Sequence, residues 1–165
     1  MSLLRDEFTP QPDGPVVRLV AVDECTVDTA VDISVRAFGD DPSDARTFIE
    51  QAMKDDEREQ FLVFSQDGPI GAVSCALHDG AMLHGLGVVP EYRGRGFGGA
   101  ILDTAAQLLF RRGYKEVSLE VDDQNSAALA LYRSRGFCEQ SKIDYWNIRL
   151  DSDTMNDSTG GQACI

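Results

Sequence analysis

The stretch that most restricts what this chain can fold into is AMLHGLGVVPEYRGRGFGGAILDTAAQLLF, residues 81–110. Its first part, through Val89, is apolar and strand-like. Its last part, from Phe97 to Phe110, repeats apolar residues at helical spacing. Between them EYRGRGFGGA, residues 91–100, holds four glycines and two arginines. A chain that enters a helix through glycines leaves the first backbone N–H groups approachable, and the positive end of the helix favours an anion there. Arg93 and Arg95 can add charge-assisted bonds to phosphate oxygens. The segment reads as a phosphate cradle.

Two other readings fit it less well. Gly94, Gly96 and Gly99 match G-x-G-x-x-G, and Glu120 follows at about 20 residues, the spacing of a dinucleotide site. That fold sets its first glycine directly after the strand, whereas here Pro90 to Arg93 intervene and no run of βαβ units follows. An arginine–glycine RNA-binding segment needs repeats in a basic setting. This one is single, in a chain of net charge −13, with fifteen acids against six bases over residues 1–60 and ten against nine over 61–150. Such a field repels nucleic acid and attracts cations, and it equally serves solubility.

Around this centre the chain falls into short elements. Residues 1–15, with TPQPDGP at 9–15, read as an irregular lead-in. VVRLVAV at 16–22 reads as a strand, 26–38 as an amphipathic helix, and Asp41-Pro42-Ser43 starts a second helix running to about Lys54. QFLVFSQ at 60–66 and PIGAVSCALH at 69–78 form a hairpin about Asp67-Gly68, and 81–89 adds a third strand. A helix over 96–112, a strand KEVSLEV at 115–121 and a helix over DDQNSAALALYRSRG follow, and FCEQ and KIDYWNIRL are expected to close the sheet near Leu150. The order predicts an α+β fold (α/β mixed), with a largely antiparallel central sheet of about seven strands flanked by about four helices. DSDTMNDSTGGQACI, 151–165, reads as a disordered tail.

Cys25, Cys75, Cys138 and Cys164 form no C-x-x-C pair and only His78 and His84 accompany them, so no metal site is expected. No apolar run approaches the roughly 20 residues of a membrane span. With no signal-peptide core, a cytoplasmic location away from membranes is expected.

Asn125 and Tyr132 lie two turns apart on the later helix, which alone indicates a cap and a core aromatic. Together with GVVPEYRGRGFGGAIL at 87–102, whose Arg93, Gly96 and Gly98 form R-x-x-G-x-G, and LEVDDQNSAALALYRSRGF at 119–137, the pattern resembles the GNAT superfamily of acyl-CoA-dependent N-acetyltransferases. The resemblance is specific over about 61–150 and implies an N-acetyltransferase domain over 16–150. It implies acetyl-CoA as cosubstrate, with no metal. Backbone groups from Leu86 through Gly87 to Val88 would hold the acetyl carbonyl and pantetheine. Arg93, Gly94, Arg95, Gly96, Phe97, Gly98 and Gly99 would bind the pyrophosphate, Asn125 the pantetheine arm, and Tyr132 would lie near the sulfur.

The implied reaction is direct attack of a primary amine on the thioester. Gly85 and Gly87 inside a strand mark a bulge or a close approach, which suits a backbone donor for the oxyanion. Tyr132 is the expected acid. Glu120 is the first candidate base, by similarity to bacterial ribosomal-protein alanine acetyltransferases. His84 is the second, by similarity to the LHGLGV strand of arylalkylamine acetyltransferases, although Met82 replaces the companion histidine there. The acidic first 60 residues lean toward a cationic acceptor: a polyamine, an aminoglycoside-like amine or a basic peptide N-terminus. The alternative is a catalytically silent acyl-CoA-binding module on the same fold. A homodimer is left open.

Overall fold

The structure, a computed structural model, describes residues 1–142 apart from Pro12 and Asp79. Six strands form one sheet: β1 (Ser2–Leu4), β2 (Arg18–Ala21), β3 (Arg58–Ser65), β4 (Gly68–Ala76), β5 (Ala81–Val88) and β6 (Glu116–Leu119). They lie in the order β1-β6-β5-β4-β3-β2. Every neighbouring pair is antiparallel except β5 and β6, which run parallel because a helix carries the chain between them. The helices are α1 (Val27–Phe38), α2 (Pro42–Ala52), α3 (Phe97–Arg111) and α4 (Ser126–Ser134).

Three layers result. α1 and α2 cover one face of the sheet, where Ala30, Val31, Ile33, Ala37, Ala45 and Ile49 meet Leu62 and Val89. α2 begins where Asp41 accepts from the Ser43 N–H at 2.8 Å, with Pro42 in its first turn; such a cap contributes about 1 kcal/mol. α3 covers the other face, burying Ile101, Leu102, Ala105, Ala106 and Leu109 against Phe61, Val63, Ile70, Val73, Leu83 and Val117. Leu131 and Tyr132 of α4 pack against the same cluster. Truncating any of the sealed aliphatics to alanine costs about 2–5 kcal/mol.

The mixed, largely antiparallel fold agrees with the expectation from element order, and its described strands number six. The expected irregular lead-in is corrected at its start. Ser2–Leu4 pairs antiparallel with Glu116–Ser118, and Leu3 enters the core at 1% exposure. Three residues are too few to display a period, so the strand was invisible in the sequence. The strand expected at FCEQ is also corrected: it is a single bridge, Cys138 to Ser2. β1 already occupies that edge of β6. KIDYWNIRL beyond Lys142, the tail and Cys164 lie outside the described residues. Among the described residues no helix is long and apolar enough to cross a membrane.

Candidate active site

β5 and β6 pair only at Ala81↔Val117, Met82↔Ser118 and Leu83↔Leu119. Beyond Leu83 the β6-facing edge of β5 has no strand partner among the described residues. On its other side β5 keeps pairing with β4, through Ala72↔Gly87 and Gly71↔Val88, after a register shift. The shift places two residues, Gly85 and Leu86, opposite the single Val73, and Gly85 adopts φ 57. This is a bulge, and the left-handed residue in it is one that only glycine takes readily. The Val89 N–H donates to Ile70 O at 2.9 Å. Ladder alternation then turns the Gly87 backbone toward β4 and the N–H groups of Leu86 and Val88 toward the open edge.

The turn after β5 leads straight into α3. Gly94 and Gly96 have φ 69 and 82, and no side chain caps Gly96 at the helix start. The first N–H groups of α3 are therefore left for something else. Arg93 does not reach outward. Its Nε donates to Val88 O at 2.9 Å and its Nη2 to Ala37 O at 2.8 Å, so the side chain braces the loop against β5 and α1. Arg95 lies over the rings of Tyr92 and Phe97, at 5.0 and 5.5 Å from their centroids. It borders a cavity of about 620 Å³ shared with Val16–Arg18 and Ser65–Asp67. Gly98 and Gly99 face α4: a methyl at Gly98 would touch Leu131, and one at Gly99 would lie 2.0 Å from Arg135 Nη2.

Of the candidate catalytic residues, Tyr132 is half-buried beside Phe137, with ring centroids 6.1 Å apart. Burial holds its phenol above the ordinary range. Asn125 caps α4, its Oδ1 accepting from the Ala128 N–H at 3.1 Å, which leaves its amide N–H groups for another partner. His84 and Glu120 come from strands that sequence spacing could not bring together. Each follows directly on the last pair, Leu83↔Leu119: His84 continues β5, and Glu120 lies just past the end of β6. Glu120 is exposed there. His84 is half-buried, and burial, then the charge of Arg58, holds its imidazole below its ordinary value, so it is neutral at pH 7.

His84 and Gly85 also line a second, partly open cavity of about 260 Å³ between α1, α2 and the sheet. Its other walls include Ser34, Phe38, Asp40, Phe48 and Ser74, none of which motif reasoning singled out. Ser74 pairs directly with His84 across the strands. The strand alternation of PIGAVSCALH would have set Ser74 apart from Val73 and Cys75, the one signal available. A buried ion pair was missed as well: Arg135 Nε lies 3.4 Å from Asp103 Oδ1, both side chains about nine-tenths covered, tying α4 to α3.

The sequence model described as Acetyltransferase (GNAT) family matches residues 27–137. Among curated proteins the chain is 31% identical over 110 residues to an uncharacterized N-acetyltransferase of Methanocaldococcus jannaschii, covering 62% of this chain and 49% of that protein. It is 35% identical over 94 residues to the [Ribosomal protein bS18]-alanine N-acetyltransferase of Escherichia coli, covering 54% of this chain and 64% of that protein. The chain thus spans about half the length of the curated relatives it matches. The solved structure of that Escherichia coli enzyme superposes with a TM-score of 0.65 at 27% identity, covering 76% of this chain and 80% of the other. A spermidine N-acetyltransferase from Vibrio cholerae, in complex with CoA and spermine, shares the fold at a TM-score of 0.63 and 19% identity, over 76% of this chain and 82% of that one.

Proposed function

Because the chain belongs to the Acetyltransferase (GNAT) family, we propose that it moves the acetyl group of acetyl-CoA onto a primary amine by direct attack of the nitrogen on the thioester carbonyl. One observation carries this reading. The edge of β5 beyond Leu83 is open, bulged at Gly85, and runs into a glycine-led helix start with no side-chain cap. These features fit a long, thin molecule with a polyanionic middle. Acetyl-CoA, when bound, supplies the activated acyl group.

The chain's own residues do the rest. The N–H groups of Leu86 and Val88 lie along the acyl end and stabilise charge as it develops on the carbonyl oxygen, with little reorganisation because a strand holds them. The backbone from Gly94 to Gly99 receives the pyrophosphate, with Arg93 as the brace of that loop. Asn125, its oxygen engaged in the helix cap, offers N–H to the pantetheine arm. The Tyr132 hydroxyl donates to the departing sulfur. A phenol raised by burial stands above a thiol's roughly 8.5, so the hydroxyl stabilises the thiolate through a hydrogen bond more than by surrendering its proton. An alkylammonium near pH 10 in pKa must lose a proton to attack. His84, neutral and lining the smaller cavity, takes that proton first. Glu120, exposed just past the end of β6, passes it to solvent.

The test is release of thiol from acetyl-CoA against a panel of alkylamines, polyamines, aminoglycosides and peptides. Amine-dependent release with an N-acetylated product is expected. Tight coenzyme binding with no turnover across the panel would replace this reading with the silent acyl-CoA-binding module.

A further inference from the structure

Resting on that reading, we propose that the cavity beside the bulge selects a primary amine carrying one positive charge and an apolar body of about one side chain, and selects against polyamines and aminoglycosides. The acidity of the first 60 residues suggested the opposite. The residues around the cavity account for the reversal.

Among the described residues Asp40 is the only acid in its lining, and no lysine or arginine joins it. Its Oδ2 is fixed by the Ser34 hydroxyl at 2.6 Å, which leaves Oδ1 for one ammonium. The acids of α1 itself, and Glu91 beside it, are matched to arginines. Asp32 pairs with Arg36 at 3.1 Å, Glu91 with Arg36 at 3.3 Å, and Asp28 with Arg46. They add to the long-range field but offer no second carboxylate at the cavity for a second ammonium.

The walls are aromatic. Phe38 and Phe48 remain 44% and 46% exposed, two large rings at the cavity that the described residues leave open. Phe38 is held in place by Gly87, where a methyl would lie 2.4 Å from its Cζ. At about 260 Å³ the cavity falls below the roughly 300–1,000 Å³ of drug-sized sites, a size matched to one side chain. On the floor, Ser74 and His84 stand as cross-strand partners. Ser74, a buried polar residue at 8% exposure, lines the cavity beside His84. It is placed to accept from the amine as His84 removes its proton.

A free arylalkylamine and a peptide with an apolar first residue share this chemistry, and the assay separates them. Steady-state kcat/KM is measured for 2-phenylethylamine, a tripeptide beginning with phenylalanine, the same tripeptide beginning with glycine, spermidine and kanamycin. At least one phenyl-bearing amine is expected to exceed spermidine, kanamycin and the glycine peptide by about tenfold or more, the scale set by filling a hydrophobic pocket. Turnover of the free amine or of the peptide then names the source. Phe48→Ala should erase that preference while coenzyme A binding, read by titration, stays unchanged. Phe48→Leu should retain part of it. Preference for spermidine or kanamycin, or a Phe48→Ala enzyme that keeps the phenyl preference, would overturn the inference and leave the acetyltransferase reading standing. Silence toward every amine would overturn both.

Discussion

Replacing Gly99 by alanine probes the joint between α3 and the helix that carries Tyr132. The added methyl would lie 2.0 Å from Arg135 Nη2, 2.8 Å from its Cζ and 2.9 Å from its Nε. The guanidinium has to leave, and in leaving it abandons Asp103, whose carboxyl burial already pushes upward and Arg135 pulls down. Breaking a buried pair so that one charge stays uncompensated costs about 3–5 kcal/mol. For a domain of this size that corresponds to a fall in Tm of roughly 6–20 °C, at about 2–4 °C per kcal/mol. The neighbouring glycine is the control. A methyl at Gly98 meets only Leu131 Cδ2, at 3.3 Å, and alanine's better helix propensity offsets about 1 kcal/mol, so Gly98→Ala should melt close to the parent. Thermal unfolding followed by circular dichroism reads both. In the Gly99→Ala, Arg135→Met double variant the two costs should not add, because the clash disappears with the guanidinium. A Gly99→Ala protein that melts within about 2 °C of the parent would refute the packing of Arg135 on α3.

Other consequences are as direct. Tyr132→Phe removes the donor to the sulfur and should lower kcat roughly tenfold or more while leaving coenzyme binding intact; an unchanged kcat would remove Tyr132 from the chemistry. His84 titrates below its ordinary value, so activity should fall as pH drops through that lowered pKa and protonates the ring. His84→Gln should abolish this acid limb, whereas Glu120→Gln should lower the rate with the limb retained. The reverse assignment would restore Glu120 as the primary base. In Arg135→Met the Asp103 carboxyl loses the charge that restrains its upward shift. A folded pKa above the unfolded one stabilises at low pH and is lost as pH rises, so this variant's stability deficit should be larger at pH 7 than at pH 5 in denaturant titrations.

Much of this architecture was legible in the sequence because it is local. The α3 entry through Gly94 and Gly96, the Asp41–Pro42 start of α2 and a glycine-marked break in β5 each show within a few residues. What was hidden depends on distant pairing. Arg93 reads as free for phosphate in the linear sequence, yet its guanidinium meets carbonyls of Ala37 and Val88, one of them 56 residues away. His84 and Glu120 arose as competing bases from different resemblances. The parallel pairing of β5 and β6 brings both to the point where that pairing ends, just past Leu83↔Leu119. The smaller cavity gathers Asp40, Phe48, Ser74 and His84 from a helix junction, a helix and two strands, a gathering no spacing encodes. β1 escaped because three residues carry no periodicity.

Backbone amide hydrogen exchange, compared with and without coenzyme A, tests the central claim most directly. The account predicts slowed exchange at Leu86 and Val88 on the open edge of β5 and from Gly96 to Gly99 at the start of α3, with Val17 and Gln66 beside the larger cavity unaffected. Protection centred on Val17 and Gln66, with Leu86, Val88 and Gly96 to Gly99 unchanged, would contradict it.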